Sequence, residues 1–414
     1  MAARFTIDLL PALEGDAIWM EWADDDHRGR MLIDGGRGST TRLGKRLADV
    51  FEARPDDRAF DVVVNTHMDA DHIAGLIGLF ADPPDGFEAR EIWFNGLRHV
   101  APFDDGLGID QSDQLEALVD DYVQSTGARW NESLGAGGAA MVVPDPPSGV
   151  DAGHEPDAGD GDETGDGDEA PPLPRSAVAG MTITLLSPTV DRVRRVAREW
   201  PDVVSEAARG EAAAQAEAEV EEGTGIGGPE AAAAGLDQAD DDLGFDQDKG
   251  VDPEELATRG YERDDTPANG ASLAFVAEFA GKRVLLGGDA HAEVLASSLG
   301  RLQPDGPIHF DAVKLAHHGS EKNLSPELLA MIDCPTWLIS TNGSRHHHPD
   351  RRAMARLITR RRPTLLVFNY RSEMAREWGK ASLTTRFDFT SHLPPDGHPG
   401  TRYDVLTGRA GPLP

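Results

Sequence analysis

The chain has 414 residues, with 73 acids against 39 lysines and arginines and a formal net charge of −34. Most of the surplus falls between Asp145 and Asp265, so the acidity marks inserted sequence and excludes a basic nucleic-acid groove running the length of the chain. One cysteine, Cys334, excludes an internal disulfide framework and fits a reducing cytoplasm.

The opening MAARFTIDLLPALEGD lacks the apolar centre of a signal peptide, because Asp8, Pro11 and Glu14 interrupt it. No stretch approaches the ~18 apolar residues of a membrane span. The expectation is a cytoplasmic chain with no membrane partner.

Apolar and β-branched runs predict strands at 5–10, 17–22 and 31–33, the last ending in Asp34-Gly35-Gly36. Residues 40–51 predict a helix, 60–65 a buried strand, 73–80 a helix and 92–94 a strand. Residues 111–125 show the period of an amphipathic helix. Residues 144–178 contain DAGDGDETGDGDE and almost nothing to bury. A strand at 181–187 and a helix at 190–209 follow, then Ala/Glu/Asp/Gly-rich sequence at 210–265. Both acidic stretches are expected to be disordered, apart from transient helix near 211–222, because burial cannot offset their ordering entropy. Strands are predicted again at 272–279, 283–286 and 310–316. A helix at 325–332, a strand at 337–340, a helix at 351–361 and a strand at 365–369 complete the pattern.

The sequence also repeats itself. FDVVVNTH (60–67) aligns without gaps on FDAVKLAH (310–317). Trp93 precedes NGLRH (95–99) as Trp337 precedes NGSRH (342–346), and MLIDGG (31–36) pairs loosely with VLLGGDA (284–290). Recurrent strand–turn idiom is the plainer account of any one match. Three in the same order suggest two related halves, each a sheet with helices, in a single domain over 1–414 interrupted at 144–178 and 210–265.

NTHMDADHIAGL (65–76) crowds His67, Asp69, Asp71 and His72 into a strand-to-helix turn. A strand that stops at His67 leaves its imidazole at the carboxyl edge, and Asp71 and His72 then fall in the first turn of a helix. Taken singly, Asp71 reads as a helix cap and either histidine as an ordinary loop residue. Four ligand-type side chains in this spacing after a buried strand point to metal.

H-x-[HD]-x-D-H after a strand resembles the metallo-β-lactamase fold, an α/β four-layer αββα sandwich of two related halves. Aspartate in third place resembles, more narrowly, the hydrolase domain of bacterial competence DNA-channel proteins and its stand-alone relatives. GDAIWMEW (15–22) with LIDGG, NGASLAFVAEFAGKRVLLGGDA (269–290), KLAHHGS (314–320) and His-Pro at 348–349 resemble further landmarks of that group, in the same order. The likeness covers roughly 5–140, 180–200 and 269–370. The membrane channel of the competence proteins is absent, and the acidic stretches are additions.

The resemblance implies two divalent ions, zinc or manganese. His67 and Asp69 would hold one and Asp71 and His72 the other, with Asp289 bridging. His317 or His318 would add a ligand; the repeat, which aligns His317 with His67, favours His317 as ligand and leaves His318 as a proton donor. His348 is a late ligand or substrate contact, and Asp34 an acceptor orienting a ligand histidine. Lys314, His318 and Ser320 could meet a phosphate. His346 and His347 read as solvated neighbours and Cys334 as a core thiol. His99, His154 and His291 are assigned no role. A carboxylate at Asp69 shifts preference towards harder ions than an all-imidazole site would, which makes manganese more plausible.

Two ions ~3.5–4 Å apart can activate water near neutral pH and clamp both oxygens of a displacement. The first expectation is therefore a phosphodiesterase or nuclease, with Asp71, His318 and Lys314 serving the chemistry. A lactone, amide or thioester hydrolase is the alternative within enzymes. A third reading is an interaction protein with a structural metal site, whose acidic inserts bind a protein partner. No G-x-S-x-G occurs, and GGRGS (35–39) lacks the lysine of a phosphate-binding loop.

Overall fold

The computed structural model describes residues 3–37, 41–54, 57–103, 114–146, 171–205, 209, 250–360 and 363–414. The fold is mixed α/β. One eight-stranded sheet runs, in spatial order, Arg409–Pro412, Thr401–Asp404, Arg4–Leu9, Ile18–Ala23, Arg28–Ile33, Val62–Val64, Glu91–Trp93 and Arg129–Trp130. A second runs Phe389–His392, Thr364–Phe368, Thr336–Ile339, Ala312–Lys314, Lys282–Leu286, Ala274–Phe279, Met181–Ser187 and Arg175–Val178.

Alternation along the strands explains the layering, since successive side chains point to opposite faces. Phe5, Ile7, Met20 and Met31 of the first sheet share one buried cluster with Ile183, Leu185, Phe275 and Val284 of the second. The opposite face of the first sheet packs on helices through Leu47, Ile73, Leu76, Val119 and Trp200. That of the second packs on helices through Leu295, Leu299, Met354 and Leu357.

Both sheets follow one strand plan. In the first, Arg4–Leu9, Ile18–Ala23 and Arg28–Ile33 pair antiparallel, then Val62–Val64 and Glu91–Trp93 add in parallel. In the second, Met181–Ser187, Ala274–Phe279 and Lys282–Leu286 pair antiparallel, then Ala312–Lys314 and Thr336–Ile339 add in parallel. Asp61 and Asp311 do the same work in each: their carboxylates accept from the backbone N–H of Arg30 and Arg283, both at 2.9 Å. The FDVVV/FDAVK match is therefore a match of equivalent strands.

The tryptophan match is not. Val63 pairs with Ile92 while its counterpart Val313 pairs with Trp337. Trp93 lies in the cluster shared by the sheets and Trp337 in the cluster under the helices. A one-residue offset moves a side chain to the other face.

Three further expectations change. Residues 144–178 and 210–265 are not wholly without structure: Arg175–Val178 is an edge strand on Met181–Thr184, and Pro253–Thr258 is a helix capped by Asp252. Buried Val178 and Leu256 anchor these ends, and Arg386 pairs with Asp252 and Glu254. Residues 147–170 and the expected helix at 211–222 lie outside the described residues. The strand predicted at 310–316 is only Ala312–Lys314, followed by a tight turn. Finally, residues beyond 370 add two helices, complete the second sheet, and return to the first sheet beside Arg4–Leu9. Among the described residues no helix is long and apolar enough to cross a membrane.

One contact sets the site helix, Ala70–Ala81, against the loop after Arg28–Ile33. Gly75 N–H donates to Gly36 O at 3.0 Å and Gly35 N–H to His72 O at 2.8 Å. A Cβ on Gly75 would lie 2.0 Å from Gly35 O. Helix propensity alone favours alanine over glycine by ~1 kcal/mol. Here the backbone collision outweighs it, and Gly75→Ala is expected to destabilise the protein by about 1–3 kcal/mol in urea unfolding. A variant as stable as the parent would show that this contact does not hold the helix.

Candidate metal centre

The site forms where the carboxyl ends of parallel strands from both sheets meet. Val62–Val64 leads into His67, and Asp71 and His72 fall in the first turn of the helix that follows. Asp69 occupies the N-cap position, yet its carboxylate makes no capping bond. It lies instead 3.4 Å from His67 Nε2. From the second sheet, Lys282–Leu286 ends at Gly287-Gly288-Asp289. Gly288 has φ +49°, and a Cβ there would meet Ser272 Oγ at 2.5 Å. Ser272 Oγ accepts from Asp289 N–H at 3.0 Å. Ala312–Lys314 leads into His317 and His318, both with left-handed backbone (φ 47° and 54°).

Asp289 is the focus. Its Oδ2 lies 3.8 Å from His67 Nε2, 3.4 Å from His72 Nε2, 3.9 Å from His317 Nε2 and 3.6 Å from His318 Nε2. Asp71 Oδ2 lies 3.2 Å from His318 Nε2 and 3.7 Å from His72 Nε2. His67 with Asp69 thus forms one wing, and His72 with Asp71 and His318 the other. Among the described residues, two triplets bring ligand atoms within 4.8 Å of one another: His67, His72, Asp289 and Asp16, His72, His318.

The far nitrogens decide what the near ones can do. His72 Nδ1 faces Asp34 Oδ2 at 2.8 Å, and an ionised carboxylate only accepts. His318 Nδ1 faces the Ser340 carbonyl at 2.9 Å. Thr66 Oγ1 donates its proton to Asp34, so the bond of His67 Nδ1 to Thr66 Oγ1, at 3.0 Å, is given by the imidazole. His317 Nδ1 donates to Asn323 Oδ1 at 2.9 Å. Each Nδ1 is a donor, so each Nε2 is the ring's basic nitrogen and points at the centre. His72 Nε2 and His318 Nε2 are 3.2 Å apart. A single proton between them serves one pair, whereas a divalent ion would serve both. His67 Nε2 and Asp289 Oδ1 are buried and have no hydrogen-bond partner among the described residues.

The electrostatics agree. Burial alone would keep these imidazoles neutral, but Asp289 and its neighbours outweigh it. They raise His72 well above its ordinary value, His317 to about 9 and His318 to about 10. Burial would raise Asp71 and Asp289, yet the imidazoles hold both well below the usual carboxylate range. The cluster demands positive charge, supplied by protons or by metal.

Several assignments change with the geometry. His318, unlike His317, belongs to one of these triplets and approaches Asp289 more closely, while His317 also aims its Nε2 at Asp289 from a more open position. Lys314 is not available to a substrate. It is 1% exposed and its Nζ bonds Asp16, because the strand ends with this side chain enclosed between the halves. Burial alone would raise Asp16, but Lys314 and His318 hold it down to about 2. With Oδ2 engaged by Lys314, Asp16 lies behind His318, its Oδ1 3.5 Å from Nδ1. Ser320 caps the next turn. His348 lies at the edge, its Nδ1 3.0 Å from Asp350 Oδ1 and its ring 5.3 Å from that of His317. Exposed His346 stacks on it. His99 is buried against Trp130, His291 is buried beside Thr266, Cys334 is a core thiol, and His154 lies outside the described residues.

Sequence reasoning passed over Asp16, Thr66, Asn323 and Asp264. Asp16 had one signal, its place beside Gly15, where a Cβ would lie 1.7 Å from Asp71 O. Comparison with models of known protein families and with curated proteins gives no match. The assignment of a role therefore rests on the geometry.

Asp34 supplies a test. Asp34→Asn keeps the size but removes the charge that fixes His72. Binding of Zn²⁺ or Mn²⁺ by the full chain, measured by equilibrium dialysis, is expected to weaken ~10–100-fold. Unchanged affinity would remove His72 from the ligand set.

Proposed function

We propose that this chain is a metal-dependent hydrolase of the metallo-β-lactamase type, related to the competence hydrolase domain, and that it cleaves phosphodiesters. The observation that carries this reading is the convergence of four imidazole Nε2 atoms and the Asp69 and Asp71 carboxylates around Asp289. The two-sheet layering with helices outside and the repeated strand plan fit the four-layer sandwich of two related halves. A mixed set of imidazoles and carboxylates suits zinc or manganese.

His67 and Asp69 would hold one ion, and Asp71, His72 and His318 the other, with Asp289 shared. Bound there, two divalent ions would activate a water and neutralise charge developing on the phosphate. The chain's own residues do the rest. Asp34, Thr66 and Ser340 fix the imidazoles by accepting their Nδ1 protons. Asp69, Asp71 and His317, with side chains 34%, 19% and 25% exposed, mark the open side where a substrate would enter. His348, steadied by Asp350, stands beside that opening and would meet a substrate oxygen or return a proton to the leaving group. A structural metal site is the weaker reading, because such sites close over their ion with four ligands. A cytoplasmic setting belongs to the same proposal, supported by the single, buried cysteine.

Turnover of bis-p-nitrophenyl phosphate by the purified chain, with Zn²⁺ or Mn²⁺ added, is the direct test. The parent should turn over, and Asp71→Ala/Asp289→Ala together should lower the rate by more than ~100-fold, since lost ligands cost more than lost orienting groups. No turnover by a metal-loaded parent would refute the phosphodiesterase reading in favour of lactone, amide or thioester substrates, or of an interaction protein with acidic partner-binding inserts.

A further inference from the structure

The segment just after the second acidic stretch enters the site. Asp264 is 4% exposed. Its Oδ1 accepts from Thr266 N–H and Oγ1 at 3.0 and 2.7 Å. Its Oδ2 accepts from Asn269 Nδ2 at 2.7 Å and Asn323 Nδ2 at 3.0 Å, and lies 3.5 Å from His317 Nδ1. His291 Nε2, bonded to Thr266 O at 3.0 Å, ties the same turn to the loop that carries Asp289.

Asn323 is the hub. Its Nδ2 faces Asp264 Oδ2, Asp289 O and Ala290 O at 3.0, 3.1 and 3.2 Å. All three can only accept, so the orientation of the amide is fixed. Its Oδ1 must then be the acceptor for His317 Nδ1. That choice places the His317 proton on Nδ1 and turns the basic Nε2 towards Asp289 Oδ2. The constraint is needed because His317 stands in left-handed backbone (φ 47°, ψ 51°), which a residue with a Cβ rarely adopts.

We infer that Asp264 and Asn323 form a positioning pair that makes His317 a metal ligand, so that His317 and His318 both bind ions at the centre. This rests on the metal-centre reading proposed above and adds two residues to it. Asp264 locks Asn323, Asn323 orients His317, and the clamp is delivered by a segment whose composition reads as disordered. His317, the more exposed of the two histidines, needs this support most. His318 is held independently by the Ser340 carbonyl and by packing.

The test is calorimetric titration of the metal-free full chain with Zn²⁺. The parent is expected to take two ions. Asp264→Asn keeps the shape but, with its oxygen held by Thr266, sets an amide N–H against Asn323 Nδ2 where an acceptor stood. Displacing Asn323 in this way is expected to weaken one ion ~10–100-fold and leave the other unchanged. His317→Ala should weaken the same ion, and Asp264→Asn added to it should have no further effect. A purely structural role for Asp264 would instead weaken both ions, or add to His317→Ala, and either result would overturn the proposal. So would parent-like affinity for both ions. If Asp264→Asn fails to fold by circular dichroism, Thr266→Ala carries the test, because it removes only one donor from Asp264. A several-fold loss at the same ion supports the clamp, and no loss refutes it. A parent that binds no ion at all would sink the metal centre itself, an outcome distinct from failure of the clamp.

Discussion

A buried carboxylate facing four imidazoles is the constraint on which the rest of this structure turns. Desolvating ionised groups costs several kcal/mol each unless opposite charge lies close by. Asp289, 2% exposed and with one oxygen lacking a hydrogen-bond partner among the described residues, meets that condition only through the cluster around it. The imidazoles are steered from behind. A carboxylate, a hydroxyl, a backbone carbonyl and an amide each accept one Nδ1 proton, and four separate segments of the chain supply them.

The two sheets make this convergence possible. Because their inner faces share one core, the carboxyl ends of Val62–Val64 and of Lys282–Leu286 and Ala312–Lys314 come together. Polar ties then fasten the halves at the site. Lys314 bonds Asp16, Ser340 Oγ donates to Gly15 O, and Asn369 Nδ2 donates to Leu10 O. Backbone contacts too close for any Cβ, Gly15 on Asp71 and Gly35 on Gly75, hold the ligand-bearing turn against its neighbours. Repetition of one strand plan explains why each half ends in histidines at the same edge.

Charge shapes what the centre can accept. Asp69, Asp71 and Asp289 bring three carboxylates to the imidazoles, and Lys314 is tied to Asp16. An anionic substrate would meet positive charge only from the imidazoles and from the ions they are proposed to hold. The acidity of the chain as a whole lies elsewhere, in stretches whose ends alone are described. One of those ends reaches the site, since it carries Asp264 against Asn323.

The sequence by itself determined the strand-to-helix turn at His67–His72, the equivalence of FDVVV with FDAVK, the position of Asp289 after a strand, and most elements between 5 and 369. These are local facts: periodicity, turn chemistry and ligand spacing act over a few residues. Tertiary structure alone decided that Lys314 is buried rather than exposed, that Trp93 and Trp337 face opposite ways, and that His318 stands nearer the centre than His317. It alone brought in Asp16, Asn323 and Asp264, residues with no periodic signal of their own. Their roles come from partners hundreds of positions away, as with Asp16 and Lys314, or from a single amide whose orientation three acceptors fix. A pattern read along the chain carries which side chains can bind an ion; which of them point at one another depends on how two sheets share a core.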